Sequence, residues 1–381
     1  MGHWTIWNLK MNKTKIAIIL GTRAELIKMF PIMKELENQK KEYYFIHTGQ
    51  HNLEKLCKTF EIKSPDFILS EEPNKSSKFF SNSSKALFWN LSIIIKLRKK
   101  LKELKELKYV IYHGDTMTTT SAALASSKLL NPFKKYKNVH VEAGLRSFNL
   151  KEPFPEEISR KIADKFSDVL FAVSENSVKN LKKYENSKKI INSGNTILDS
   201  VNFALKLAKK ENARKLSSKN FALISIHRHE NIKNCERLSK IVEILSSLTI
   251  PAYFTLHDNT KKQLIKFGLY GKLKDNKNIK IISPIDYEKF IWQIKNCKLI
   301  VCDGGSMQEE SLIFQKPCII LRNNTERPEG LKSNFQFLSK FDVKKTKDKI
   351  EEFLSENFKI VKFDNPYGNK GVSEKILEEL V

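Results

Sequence analysis

The stretch KIAIILGTRAELIKMFP, residues 15–31, decides the reading of the fold. An apolar run of strand length, KIAIIL (15–20), ends in the turn Gly21-Thr22-Arg23 and leads into a helix. A helix start offers free backbone N–H groups and the positive end of its dipole, so this turn reads as a phosphate seat. It lacks the GxGxxG pattern and does not argue for NAD.

Outward from this unit the pattern repeats. The runs YYFIHT (43–48), YVIYHGD (109–115), VLFAVS (169–174), FALISIH (221–227), AYFTLH (252–257), IKIISP (279–284), LIVCDGG (299–305) and PCIILR (317–322) alternate with longer amphipathic stretches. Continuous apolar runs are strands buried on both faces, and the alternation predicts an α/β fold with parallel sheets. A chain of 381 residues also exceeds what one core usually organises. One series of units runs to about residue 190 and a second from about 220 to 325, with the lysine-rich helical stretch 200–219 as connector. Several runs end in polar residues or glycine, where ligands bind in open α/β sheets. LRKKLKELKELK (97–108) reads as a charged amphipathic helix and GVSEKILEELV as a closing one.

No apolar stretch approaches the roughly 20 residues that span a bilayer. The start MGHWTIWNLKMNKTK lacks a secretory h-region, so a soluble, cytoplasmic protein without membrane insertion is expected, with Met1 and Met11 both open as natural starts. The five cysteines form no CxxC pair, which argues against disulfides and zinc; they read as reduced, mostly buried thiols. The formal charge of +25 raises nucleic acid as a partner, but 59 of the 68 basic residues are lysines spread along the chain, as on a solvated surface. Nucleic acid is therefore not expected. Of the nine arginines, Arg23, Arg146, Arg160, Arg228, Arg322 and Arg327 fall inside motifs, where a planar guanidinium suits oxyanions.

In HGDTMTTTSAALAS (113–126), Asp115 is a candidate acid or base, or else Asp115 or Thr116 caps the next helix. HVEAGLRSFNLKEPFPEEISRKIADKFSD (140–168) presents Glu142, Arg146, Glu156, Glu157 and Arg160. Its carboxylates suit a helix start, and they also suit paired acid and base catalysis if their environments differ. In ISIHRHEN (224–231), His227 and Arg228 at a strand end suit phosphate neutralisation. VCDGGSMQEESLIFQKPCIILRNNTERPEGL (301–331) places Gly304, Gly305 and Ser306 before a helix, which fits diphosphate, and Glu310 can accept both ribose hydroxyls.

Together, GTRAELIKMFP, TGQH, HGDT, HVEAGLR, PFPEE with Arg160, SGNTILDS, HRHEN, DYEKF, DGGSMQEE, KP and TERPEGL resemble, in order and spacing over roughly residues 13 to 335, the non-hydrolysing UDP-N-acetylglucosamine 2-epimerases. The resemblance implies two Rossmann-like domains facing across a cleft in the glycosyltransferase-B manner. They would span residues 1–194 and 195–366, with 367–381 returning to the first. It implies elimination of UDP across C1 and C2 and re-addition from the other face, without a cofactor or metal, in the service of bacterial surface polysaccharide synthesis. Asp115, Glu142 and Glu156 then resemble the catalytic carboxylates and His227 the group assisting diphosphate departure. Arg23, Lys28, Arg146, Arg228 and Arg327 resemble substrate contacts; Gly304, Gly305 and Ser306 would hold the diphosphate, Glu310 the ribose, and Phe290 would stack on uracil. A UDP-sugar is the implied partner, with a second copy of the chain as a homodimer.

The chain departs from the family in places. DGGS (303–306) stands where many relatives show DSGG, Ile285 replaces a polar residue near the base, and His229 replaces an arginine. Gln50 and His257 match a second, activating UDP-sugar site, but Leu53 and SEEPNKSSK (70–78) do not, which counts against activation by substrate. The rival readings are a hydrolysing epimerase releasing N-acetylmannosamine and UDP, an epimerase for a C6-oxidised or C3-acetamido UDP-sugar, a glycosyltransferase, and a basic scaffold protein. IKMFP, HVEAGLR and PFPEE favour the non-hydrolysing type.

Overall fold

The computed structural model describes residues 15–71, 83–150, 152–210 and 220–380. The two candidate starts, most of SEEPNKSSK and the end of the 200–219 connector lie outside the described residues.

Seven strands build the first sheet: β1 (Lys15–Leu20), β2 (Tyr43–His47), β3 (Phe67–Ile68), β4 (Leu107–His113), β5 (Lys137–Ala143), β6 (Val169–Ala172) and β7 (Lys189–Asn192), in the order β3-β2-β1-β4-β5-β6-β7. Six build the second: β8 (Ala222–Ser225), β9 (Ala252–Thr255), β10 (Ile279–Ile282), β11 (Leu299–Cys302), β12 (Cys318–Ile320) and β13 (Gln336–Leu338), in the order β10-β9-β8-β11-β12-β13. Neighbouring strands pair in parallel throughout, with Ile18 of β1 opposite Phe45 of β2 on one side and Ile111 of β4 on the other. Both are doubly wound sheets whose strand order reverses beside the first strand of each, the place where such folds open a ligand crevice.

Strand periodicity explains why the apolar runs are continuous. In β1, Ile16, Ile18 and Leu20 enter one core layer while Ala17 and Ile19 enter the layer on the opposite face, all fully buried. In the second sheet, Leu299 and Val301 face one layer, Ile300 and Cys302 the other. Each such large aliphatic side chain contributes about 1.5–3 kcal/mol by leaving water.

The chain crosses between the sheets at Ser193–Thr196 and enters the helix Ile197–Lys210. It returns at its end, where the helix Val372–Glu378 packs Val372, Ile376 and Leu377 into the first core layer. Asp199 fixes that return by accepting the N–H groups of Gly371 and Ser373, each at 2.8 Å.

The predicted helix over 97–108 is corrected. The helix Ser83–Glu103 ends earlier, Glu106 adopts φ +62, and Leu107 begins β4 and is buried with Trp89, Leu97 and Leu101. Burial of Leu107 outweighs the helical charge spacing. Four of the five thiols are buried and only Cys235 is exposed. Among the described residues no helix is long and apolar enough to cross a membrane.

Candidate active site between two domains

The expected phosphate seat after β1 is occupied by the chain itself. Thr22 caps the helix Arg23–Asn38, and the Glu25 carboxylate returns to accept the N–H groups of Gly21 at 2.9 Å and Thr22 at 2.7 Å. This is a capping box, and it leaves those two amides no capacity for a ligand. Arg23 is exposed, with Nε donating to the Asn52 carbonyl at 3.3 Å.

The helix Gly305–Phe314 begins differently. Gly304 stands at its N-cap with no side-chain cap, so the helix start presents its amides and its dipole at the carboxyl end of β11. Two side chains crowd this turn. A Cβ on Gly304 would lie 3.3 Å from His227 Cε1, and one on Gly305 would lie 2.5 Å from Arg327 Nη1. Glycine is needed at 305 because the Arg327 guanidinium fills the space a Cβ would take. His227 is positioned from behind: buried Asp303 accepts the N–H of His227 at 3.0 Å and of Arg228 at 2.9 Å, and the Asn231 amide at 3.1 Å. The imidazole of His227 remains 44% exposed, its ring 5.1 Å from that of His257.

Carboxylates of the first domain face this helix start. Glu142, at φ +68 near the end of β5, is 5% exposed. The Lys28 ammonium donates to Glu142 and, at 3.1 Å, to Glu309; Arg327 Nη2 lies 3.8 Å from Glu142, and its Nε donates to Glu309 at 2.6 Å. Arg160 holds Asp115, and Arg228 donates to Glu156 at 2.7 Å. Thr116, not Asp115, caps the next helix, so the capping reading of this motif holds for the threonine alone.

The two outer carboxylates are pushed in opposite directions. Burial works to raise Asp115, but the Arg160 guanidinium, helped by Arg228 and Arg327, outweighs it and holds the carboxyl below its ordinary range. At Glu156 burial prevails over the Arg228 cation, and the carboxyl sits above its ordinary range. Glu310 is pushed up to about 8 by burial and by neighbouring Glu309; it takes the Tyr287 hydroxyl at 3.4 Å and keeps Oε2 unpaired.

Arg146 is not brought to the cleft. Its guanidinium is spent on Asp164 and the Leu145 carbonyl, and Asp164 also holds His140 at 2.8 Å, a buried support beneath the Glu156–Phe166 helix. Phe290 is half-buried against the second domain's core on the helix Tyr287–Asn296, and Ser306 is half-buried in the first turn after Gly305.

Glu309, Glu326 and Asn195 lie inside the motifs read from the sequence but were given no role there. Glu326 is fully buried, bonded to Arg327 and within 2.9 Å of Arg322, 3.5 Å of Arg160 and 3.8 Å of Arg228. Burial opposes its charge, but the four guanidinium groups overcome it and keep the carboxyl well below its ordinary range. The density of arginines within motifs was the available signal for such an acceptor.

Two Rossmann-like domains with an uncapped helix start of one facing buried carboxylates of the other define an α/β enzyme of glycosyltransferase-B architecture. A family model described as UDP-N-acetylglucosamine 2-epimerase matches residues 34–381. A Methanococcus maripaludis protein named UDP-N-acetylglucosamine 2-epimerase is 38% identical, with 96% of this chain and 98% of that one covered. A Pseudomonas aeruginosa UDP-2,3-diacetamido-2,3-dideoxy-D-glucuronate 2-epimerase is 32% identical over 82% of this chain and 84% of its own. The crystal structure of Methanocaldococcus jannaschii UDP-GlcNAc 2-epimerase in complex with UDP-GlcNAc and UDP superposes with a TM-score of 0.84 at 37% identity, covering 96% of this chain and 99% of that one. The chain belongs to the UDP-N-acetylglucosamine 2-epimerase family.

Proposed function

We propose that the chain interconverts the C2 epimers of a UDP-N-acetylhexosamine, UDP-N-acetylglucosamine by default, by eliminating UDP and adding it back without releasing free sugar. One observation carries this reading: the uncapped start at Gly304 and Gly305, flanked by His227 and Arg327, lies beside carboxylates of the other domain. A departing diphosphate needs fixed donors where its charge develops, and proton transfer at C2 needs carboxylates within reach on both faces.

In this reading one carboxylate takes the C2 proton as the C1–O bond to UDP breaks. The helix start, His227 and Arg327 neutralise the leaving diphosphate, Arg228 adds a further cation, and Glu310 takes the ribose while Phe290 stacks on uracil. UDP then adds to C1 as a proton reaches C2 from the opposite face. Asp115, held low, serves as the ionised partner and Glu156, held high, as the proton donor, while Glu142, paired with Lys28, is the third carboxylate acting at C2. In this reading the intermediate is retained beside Lys28, Glu142, Glu309 and Arg327, each no more than 5% exposed.

Product analysis after incubation with UDP-N-acetylglucosamine tests the reading. It expects the UDP-linked manno epimer; free N-acetylmannosamine with UDP would move the chain to the hydrolysing class. No turnover of this sugar, with turnover of a C3-acetamido or C6-oxidised UDP-sugar, would reassign the substrate.

We extend the reading to a homodimer. Leu87, Phe88, Leu91 and Ile95 of the helix Ser83–Glu103 are 48–71% exposed along one stripe, an apolar face that suits a second copy. Sedimentation velocity on Ile95→Glu is expected to show a monomer where the unaltered chain runs as a dimer; a monomer for both would refute the extension.

A further inference from the structure

SGNTILDS (193–200) belongs to the motif set, yet the chemistry above gives it no part. Asn195 stands at its centre and is 1% exposed. Its Nδ2 donates to Glu309 Oε1 at 2.9 Å and to Glu142 Oε2 at 3.4 Å. A single amide thus spans one carboxylate from each domain, at the point where the chain crosses between them. Its other end is fixed too: Oδ1 accepts the Ile197 N–H at 3.0 Å, which settles the direction in which Nδ2 points.

The turn beneath it has little freedom. The Asn195 N–H donates to the Tyr367 carbonyl at 3.0 Å. Gly194 adopts φ +86, and a Cβ there would sit 2.5 Å from the same carbonyl oxygen, so the returning C-terminal backbone presses directly on the turn. Chain crossing and chain return therefore set the height of Asn195 together.

Glu142 and Glu309 repel each other and share three bridges, the Lys28 ammonium, the Arg327 guanidinium and the Asn195 amide, of which the amide alone is uncharged. Besides Lys28, the charged or titratable groups facing Glu142 are His113, with Nε2 at 3.8 Å, and Arg327, with Nη2 at 3.8 Å. Arg327 and Glu309 are carried by the second domain, Lys28 and His113 by the first. Asn195 belongs to the crossing itself, so it ties a carboxylate of one domain to a carboxylate of the other.

We infer that Asn195 is a positioning residue for the C2 proton transfer: its amide sets the separation of Glu142 and Glu309 across the closed cleft and so aims the Glu142 carboxylate at the substrate. The inference rests on the epimerase reading above.

Asn195→Ser is the test, with the unaltered chain assayed in parallel. Serine keeps a short side-chain acceptor for the Ile197 N–H but cannot reach either carboxylate. The expected result is a fall in kcat of about tenfold or more with KM changed less than about threefold, the pattern of an interaction made in the transition state. UDP affinity by calorimetry stays close to that of the unaltered chain. Asn195→Asp, which also keeps the acceptor but replaces the donor with a third carboxylate oxygen, gives the same fall if the serine variant folds poorly. A kcat within twofold of the unaltered chain, or a loss carried by KM with kcat kept, in either folded variant would overturn the inference. An unaltered chain that turns over no UDP-sugar would instead bring down the epimerase reading and this inference with it, and the parallel assay tells the two failures apart.

Discussion

Arg228, just beyond β8 in the second domain, donates to Glu156 of the first domain at 2.7 Å, and the same guanidinium lies 3.8 Å from the buried Glu326. The cation lowers a carboxyl that burial raises, and burial prevails. Asp115 is held in the opposite direction by Arg160. A kcat profile bounded below by ionisation of Asp115 and above by loss of the Glu156 proton is therefore expected, the upper limb lying above the ordinary carboxylate range.

Arg228→Ala removes the cation that opposes burial at Glu156, so Glu156 holds its proton to higher pH and the upper limb moves upward. Glu156→Gln removes the proton donor and is expected to lower kcat by roughly 10²–10⁴-fold. Stopped assays from about pH 5 to 9 check both. A downward move of the upper limb in Arg228→Ala would contradict the assignment.

Gly305→Ala places a Cβ 2.5 Å from Arg327 Nη1 and 2.8 Å from Cζ. The guanidinium cannot simply swing aside, because Glu309 and Glu326 hold it. The substitution is expected to weaken UDP binding at least about tenfold, about 1.4 kcal/mol, as read by calorimetry.

Glu326→Gln leaves buried Arg160, Arg322 and Arg327 and half-buried Arg228 without their shared anion. Breaking such a network by removing one partner costs about 3–5 kcal/mol, measurable by denaturant unfolding. The pH dependence has a definite sign. The folded carboxyl lies well below the ordinary value of 4.5, so its contribution is fully present above about 4.5 and is lost as pH falls below that. The Gln variant should lack this part of the acid loss of stability.

Thr22→Ala separates a structural turn from a ligand seat. Loss of the cap on the helix Arg23–Asn38 is expected to cost about 0.5–2 kcal/mol of stability. UDP affinity should stay unchanged, since Glu25 already occupies the amides of Gly21 and Thr22.

That turn also marks how far the sequence could be read. The pattern Thr22-x-x-Glu25 is a capping box visible in the letters, and it competes with the phosphate reading of the same glycine turn. The long apolar runs were legible because both faces of each strand are buried. Strands β3, β7 and β13 were not, since they have two to four residues at or next to a sheet edge and few side chains to set a pattern. Glu309 and Glu310 are adjacent, so on a helix they point about 100° apart, and spacing alone does not say which one meets Lys28. Arg146 follows a glycine in a motif as a ligand contact would, but the fold turns it onto Asp164. Contacts made across the two domains, such as those of Asn195 with Glu142 and Glu309, join residues 53 and 114 positions apart and have no local signature.

The central claim is that a proton leaves C2 and another returns from the opposite face while UDP stays bound. Incubation of the unaltered chain with UDP-N-acetylglucosamine in deuterated water, followed at C2 by proton NMR, tests it most directly. Loss of the C2 proton signal is expected as the UDP-linked manno epimer appears carrying deuterium. Epimer formation with the original C2 proton fully retained would contradict it.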